Sequence, residues 1–138
     1  MSLDEQGRYD VVIYRLEKAR QTIEQAKTIL ALGYWEIVAN RLYYAAYYAA
    51  SALLIANSIR VKSHEGVIQQ LGLHFIKPGL LSNDIGKLYR QLFTFRLKGD
   101  YEDNYNLTEE QVAPMIEPTE QLITIISNLT RQALDKRS

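Results

Sequence analysis

The 138-residue chain has no cysteine, which excludes disulfide bonds and any chemistry that needs a thiolate. It has no continuous apolar run long enough to cross a bilayer, so no membrane-spanning helix is predicted. No secretory leader precedes Asp4, and a cytoplasmic location is therefore expected. Neither charge is in excess, with 16 basic and 16 acidic side chains. This balance argues against a wholly basic nucleic-acid-binding surface but leaves open a local basic patch.

The sequence also lacks the motifs of common cofactor, metal and hydrolase sites. No glycine-rich phosphate loop, G-x-S-x-G segment or H-E-x-x-H segment is present. With two histidines and no cysteine, the chain offers few ligands for a first-row transition metal. We therefore predict neither a metal ion nor a cofactor.

Apolar residues recur at helical spacing along most of the chain, and no alternating strand pattern is found. The stripes predict long helices at Arg8–Leu32, from about Trp35 to about Ser58, at Asp84–Lys98 and in the C-terminal part, with a short helix beginning at His64. We therefore predict an all-α fold, an antiparallel up-and-down bundle of about four long helices plus a short one. One domain is expected over residues 1–138, with frayed ends at 1–7 and 131–138.

Glycines and capping residues indicate where these helices begin and end. Gly33 follows the first apolar stripe and terminates the first helix in the usual C-terminal manner. Gly99 is expected to interrupt the helix that begins at residue 84, so that the polar and aromatic segment 100–106 forms a loop. Thr108 and Gln111 have the spacing of a capping box, which predicts the start of the last helical segment.

The segment Ala39–Ser51 combines alanines with four tyrosines, and the chain as a whole has ten tyrosines against three phenylalanines. Its tyrosines form two pairs spaced one helical turn apart, Tyr43 with Tyr47 and Tyr44 with Tyr48. Two alanines of the segment and two that follow it line one face of the helix: Ala45, Ala49, Ala52 and Ala56. Such an alanine face lets another helix approach closely. Buried phenol hydroxyls need partners. We expect a polar cleft that includes Asn40, Arg41 and Tyr44 to be the functional site.

Two polar segments could converge on this cleft. In the first, Arg60 and Lys62 could hold a phosphate with help from the helix N-terminus at Ser63. Alternatively, His64 merely orders the start of that helix. In the second, Arg96 and Asp100 are spaced to form an intrahelical ion pair if the helix extends that far. The functional alternative is that Arg96 projects into the bundle and grips a phosphate bidentately.

Three segments together resemble the UPF0332 branch of the HEPN superfamily: Asn40-Arg41-Leu42-Tyr43-Tyr44-Ala45, Ser63-His64, and Arg96 with Asp100-Tyr101. The resemblance extends from about Arg8 to Leu129. It implies the HEPN fold, a helical bundle that usually forms homodimers. It also implies a minimal nucleotidyltransferase partner, encoded nearby or fused, in pairs that resemble toxin–antitoxin modules.

Active ribonucleases of this superfamily carry an arginine and, a few residues later, a histidine, and they cleave RNA without a metal ion. Arg96 matches the arginine, but Tyr101 stands where the histidine would be. A tyrosine with a pKa of about 10 is a poor general base at neutral pH. The group of Arg96, Asp100 and Tyr101 nevertheless suits binding of a nucleotide or RNA phosphate, with tyrosines stacking on bases. The resemblance also makes Tyr101 and Tyr105 candidates for nucleotide attachment by the partner transferase.

Three functions remain open. The first is a nucleotide- or RNA-binding component of a two-gene system, acting as a dimer with a nucleotidyltransferase. The second is a metal-independent endoribonuclease, in which Arg96 clamps the phosphate and His64 or Tyr101 carries the proton. The third is a structural module that binds another protein. The first two require the Arg96 guanidinium to lie beside the tyrosine-rich face of the second helix and to face solvent from which a phosphate could enter.

Overall fold

The computed structural model describes residues 4–101 and 106–136, and every regular element in these ranges is a helix. The elements, in chain order, are α1 (Glu5–Leu30), α2 (Trp35–Ala56), α3 (His64–Leu71), a π-helical turn (Gly72–Ile76), α4 (Asn83–Tyr101), α5 (Glu109–Val112), a 3-10 turn (Ala113–Met115) and α6 (Ile116–Asp135). The predicted all-α bundle with four long helices is confirmed. It has a second short helix, α5, and a π-helical turn that the periodicity did not indicate.

Helix α2 is the centre of the bundle and packs against each of the other five α-helices. Its predicted small-residue face is fully buried, with no exposure at Ala45, Ala49, Ala52 and Ala56. Because an alanine side chain ends at Cβ, neighbouring backbones can approach α2 closely. The tyrosines of α2 are thereby placed in the middle of the fold.

Helices α1 and α2 are joined by the short segment 31–34, in which Gly33 has a φ of +81°. Most residues avoid this left-handed region, so glycine suits the turn. At the other end of α1, Asp4 caps the helix by accepting a hydrogen bond from the Gly7 backbone N–H at 2.6 Å. Helical structure continues into both terminal segments that were expected to fray, since α1 begins at Glu5 and α6 ends at Asp135.

The predicted end of the fourth helix was wrong. Helix α4 does not stop at Lys98 but continues through Gly99 to Tyr101, so Asp100 is helical and not part of a loop. Gly99 does not have a positive φ, unlike Gly33. A helical glycine costs only about 1 kcal/mol relative to alanine, which the packing of the preceding turns can outweigh.

The predicted capping box is confirmed at the start of α5. The Thr108 hydroxyl accepts from the Gln111 backbone N–H at 3.3 Å, and the Gln111 side chain accepts from the Thr108 N–H at 2.9 Å. The segment just before it is held by Glu36 of α2, whose carboxylate accepts from the Leu107 N–H at 3.3 Å. Within residues 4–101 and 106–136, no helix combines the length and apolarity needed to span a membrane.

Candidate functional site

Arg96 of α4 points into the bundle and lies against the tyrosines of α2. Its Nη1 donates a hydrogen bond to the Tyr44 hydroxyl at 3.2 Å. The guanidinium carbon is 5.1 Å from the ring centroid of Tyr43, 5.8 Å from that of Tyr44 and 5.7 Å from that of Phe93. Only 10% of the Arg96 side chain is exposed. The guanidinium therefore lies beside the tyrosine-rich face of α2, with a small part of its side chain open to solvent.

The positive charge of Arg96 is only partly neutralised by its surroundings. Asp100, one turn further along α4, places a carboxylate oxygen 3.7 Å from Nη1, and this side chain is 40% exposed. The Arg96 Nε–H is buried and has no hydrogen-bond partner among the described residues. Aromatic faces attract a guanidinium but do not replace its hydration fully. A nearly buried cation whose charge is only partly neutralised is the kind of group that holds an anion.

His64, the first residue of α3, meets the same tyrosines from another direction. Its Nδ1 lies 2.6 Å from the Tyr43 hydroxyl, and its ring centroid lies 4.8 Å from that of Tyr47. The imidazole is also edge-on to Tyr44, with centroids 6.0 Å apart. Arg96 and His64 therefore share contacts with Tyr43 and Tyr44, although they are far apart in sequence.

The environment keeps both members of the His64–Tyr43 hydrogen bond uncharged at neutral pH. Burial lowers the pKa of His64, the Arg96 charge lowers it further, and Glu65 opposes this. Burial raises the pKa of Tyr43 to about 12. The hydrogen bond can form with either imidazole tautomer, since a phenol both donates and accepts. His64 can consequently present Nε2 as a donor or as an acceptor.

Asn40 and Arg41, near the start of α2, form a pair at the edge of the cluster. Arg41 donates to the Asn40 side-chain oxygen from Nε at 3.1 Å and from Nη2 at 2.8 Å. The Arg41 guanidinium carbon also lies 5.4 Å from the Tyr44 ring centroid. Tyr44 therefore has two guanidinium groups, Arg41 and Arg96, within 6 Å of its ring.

Other predicted residues lie apart from this cluster or contribute differently. Arg60 and Lys62 are exposed on the connector before α3, and no hydrogen bond, ion pair or ring contact links them to the cluster within the described ranges. The Asp100 carboxylate faces Arg96 and would repel a phosphate there, so its position suits pairing with Arg96 better than binding an anion. The Tyr101 side chain and the whole of Tyr105 lie outside the described part of the structure.

Sequence reasoning did not assign site roles to Tyr43, Tyr47 and Phe93. Tyr43 is fully buried, yet its hydroxyl is the partner of His64. The sequence signals for the two tyrosines were the excess of tyrosine over phenylalanine and their spacing of one helical turn, and neither indicates which hydroxyl meets which partner. Among the described residues, no group of three or more histidine, aspartate or glutamate side chains is arranged to hold a metal ion.

The chain is similar in sequence to known proteins over most of its length. A family model described as "HEPN domain" matches residues 12–129. A UPF0332 protein of Thermotoga maritima is 32% identical over 119 residues, which cover 86% of this chain and 90% of that protein. A Methanocaldococcus jannaschii protein named as a candidate toxin is 28% identical over 119 residues, covering 86% and 88%. A UPF0332 protein of Archaeoglobus fulgidus is 32% identical over 92 residues, covering 67% and 73%.

Proposed function

The chain belongs to the HEPN domain family, in its UPF0332-like branch, and from this premise we propose that it binds a nucleotide or RNA through a phosphate at Arg96. The proposal is supported mainly by the position of Arg96. Its side chain is 10% exposed, and its guanidinium points into the bundle and lies against the rings of Tyr43 and Tyr44. Phosphate oxygens form strong, charge-assisted hydrogen bonds with guanidinium groups. Tyrosine rings supply stacking surfaces that accept any base.

The geometry restricts how the ligand approaches. The Arg96 Nε–H is buried, so the phosphate would meet the outer nitrogens of the guanidinium. The Tyr44 ring is half-buried, and the Arg96 and Arg41 guanidinium carbons both lie within 6 Å of its centroid, so a base on Tyr44 would have two cations nearby. His64 would face the same ligand from the α3 side, across Tyr43 and Tyr44.

The proposal includes the setting in which the site acts. We place the protein in a two-gene, toxin–antitoxin-like system, as a homodimer with a nucleotidyltransferase encoded nearby. The candidate-toxin name of the Methanocaldococcus relative and the HEPN family membership support this assignment. Light scattering of the purified protein tests the dimer. Co-purification with the product of the adjacent gene tests the partner, and separate elution of the two proteins would contradict it.

Binding is tested with a mononucleotide and a fluorescently labelled RNA against wild type and Arg96→Gln. Loss of charge-assisted hydrogen bonds worth about 1.5–3 kcal/mol predicts about a 10- to 100-fold weaker affinity. Arg90→Gln, on the exposed face of the same helix, is the matched control and should bind like wild type. If wild type binds neither ligand, alone or with its partner, the proposal is wrong. A loss of stability in Arg96→Gln with no wild-type affinity would instead favour a purely structural interaction module.

A second function, metal-independent RNA cleavage, is favoured by the position of His64. Its imidazole is neutral at neutral pH because burial and the Arg96 charge lower its pKa, so it can take a proton. In this reaction His64 removes the proton of an RNA 2′-hydroxyl, whose oxygen attacks the adjacent phosphorus. The 5′-oxygen then leaves and takes from His64 the proton that the imidazole removed, giving a cyclic phosphate, a 5′-hydroxyl and neutral His64. Arg96 stabilises the charge on the phosphorane.

Cleavage is tested by incubating RNA with the protein in a chelator. We expect wild type to cleave, Arg96→Ala to lose activity, and His64→Gln to be slowed about a hundredfold or more. His74→Gln, at the other histidine, which is exposed, is the control for the chemical change. Equal cleavage by wild type and Arg96→Ala, or none by wild type, would rule out this function and leave the binding proposal standing.

A further inference from the structure

Helix α1 carries two cations that lie against a tyrosine of α2 outside the Arg96 site. The guanidinium carbon of Arg15 is 5.9 Å from the Tyr48 ring centroid, and the Lys18 Nζ is 6.0 Å from it. All three side chains are half-buried. Among the described residues, neither cation forms an ion pair with an acidic side chain. Their charges are therefore available to an external anion.

The acidic side chains of α1 do not neutralise this face. Asp10, Glu17 and Glu24 follow one another at intervals of seven and so share a face of the helix, and the remaining acidic residue, Glu5, lies in its first turn. Arg15 and Lys18, three residues apart, share a different one. A chain with no net charge thus has a local positive strip where α1 crosses Tyr48.

The positive strip is continuous with the Arg96 site through one turn of α2. The ring centroids of Tyr48 and Tyr44 are 6.2 Å apart, and Tyr44 accepts the hydrogen bond from Arg96. Arg96 lies over Tyr43 and Tyr44, whereas Arg15 and Lys18 lie over Tyr48. Because the two sets of cations contact different rings, they suit two successive phosphates and not one.

Resting on the function proposed above, we infer that Arg15, Lys18 and Tyr48 form a second subsite that binds the nucleotide next to the one held at Arg96. The ligand is then a single-stranded polynucleotide and not a mononucleotide. Its backbone follows the positive strip, and its bases stack on Tyr44 and Tyr48. This combination of a cationic track and aromatic platforms is the usual basis of single-strand binding.

The inference is tested by comparing the affinities of a mononucleotide and of single-stranded oligonucleotides of increasing length. We expect an oligonucleotide to bind at least about tenfold more tightly than the mononucleotide. The double variant Arg15→Gln/Lys18→Gln should lose that advantage while binding the mononucleotide as wild type does. The oligonucleotide affinity of the double variant should also depend less steeply on salt. The slope of log affinity against log salt concentration should be smaller by about 0.7 for each phosphate that the variant no longer neutralises. Comparing RNA and DNA oligonucleotides of one sequence shows which of the two polynucleotides, which share the phosphate backbone, the subsite binds.

A matched control removes one arginine and one lysine elsewhere. Arg20→Gln/Lys87→Gln changes the net charge equally at two exposed positions away from Tyr48 and should retain the length dependence. If oligonucleotides bind no more tightly than the mononucleotide, or if both double variants behave alike, the second subsite is wrong and the Arg96 site stands. If wild type binds neither ligand, the function proposed for Arg96 is wrong and the subsite falls with it.

Discussion

The Tyr43 hydroxyl lies 2.6 Å from Nδ1 of His64, and this hydrogen bond joins the middle of α2 to the first residue of α3. Tyr43 is fully buried, so its ring cannot shift without disturbing the core. The bond therefore fixes the orientation of an imidazole that is itself only partly buried. Because Arg96 also packs on the Tyr43 ring, the position of α3 is coupled to the candidate site.

Tyr43→Phe is expected to lower the free energy of unfolding by about 0.5–1.5 kcal/mol, because it removes this hydrogen bond and leaves the ring in place. Urea unfolding measures the change as a lower midpoint with an unchanged slope. Tyr47→Phe is the control, since the Tyr47 ring also packs on His64 but its hydroxyl has no hydrogen bond among the described residues. Equal midpoints for the two variants would show that the Tyr43–His64 bond contributes nothing to stability.

The lowered pKa of His64 predicts a loss of stability at acid pH. Its pKa in the folded state lies below the ordinary value of about 6.5, so between these two values the unfolded chain binds more protons. The free energy of unfolding therefore rises with pH across that interval and falls as the pH is lowered through it. We expect wild type to lose more stability than His64→Gln between about pH 8 and pH 5.

Urea unfolding of both proteins at several pH values measures this difference, because contributions from carboxylates are common to the two proteins and cancel. An NMR titration of His64 gives its folded-state pKa directly. Tyr43, Tyr44 and Tyr47 contact the imidazole, and the charges of Arg96 and Glu65 act on it. A His64 pKa at or above about 6.5, or parallel stability curves for wild type and His64→Gln, would contradict the expected burial of this side chain.

The fold could be predicted from the sequence because its signals are local. Apolar spacing locates the four long helices, and the capping residues Ser63 and Thr108 stand where α3 and α5 begin. The π-helical turn Gly72–Ile76 has no such signal. Its Phe75 carbonyl accepts hydrogen bonds from the N–H groups of Leu80 and Leu81, which follow the turn, and the Phe75 side chain is buried. Packing of the surrounding helices decides this geometry, and sequence spacing does not report it.

The candidate site could be predicted only in part, because its contacts join distant segments. Arg96 and Tyr44 are 52 residues apart, and Tyr43 and His64 are 21 apart. The sequence therefore indicated which residue types would matter but not which hydroxyl would meet His64. It also could not show that Arg60 and Lys62 remain on the exposed connector while Arg15 and Lys18 lie over Tyr48.

Gly99→Ala is expected to stabilise the protein by up to about 1 kcal/mol. Gly99 lies within α4 without a positive φ, and an added Cβ would meet no atom within 4 Å. Alanine there removes freedom from the unfolded chain and favours the helix. Gly79→Ala is the opposite case, because Gly79 has a φ of +86° and should lose stability on substitution. Thermal unfolding measures both changes. A lower midpoint for Gly99→Ala would mean that α4 is not helical at this position in solution.

Ala49→Leu is expected to destabilise the protein by about 1–3 kcal/mol, because Ala49 is fully buried in the α2 face that other helices approach. A larger side chain would force α2 and its neighbours apart or push side chains out of their preferred rotamers. Ala31→Leu, at an exposed position after α1, adds the same atoms without this constraint and should leave stability nearly unchanged. Thermal unfolding should show the Ala49 variant several degrees lower. If both variants unfold together, the alanine face does not set the spacing of the bundle, and the close packing that holds Tyr44 against Arg96 must have another origin.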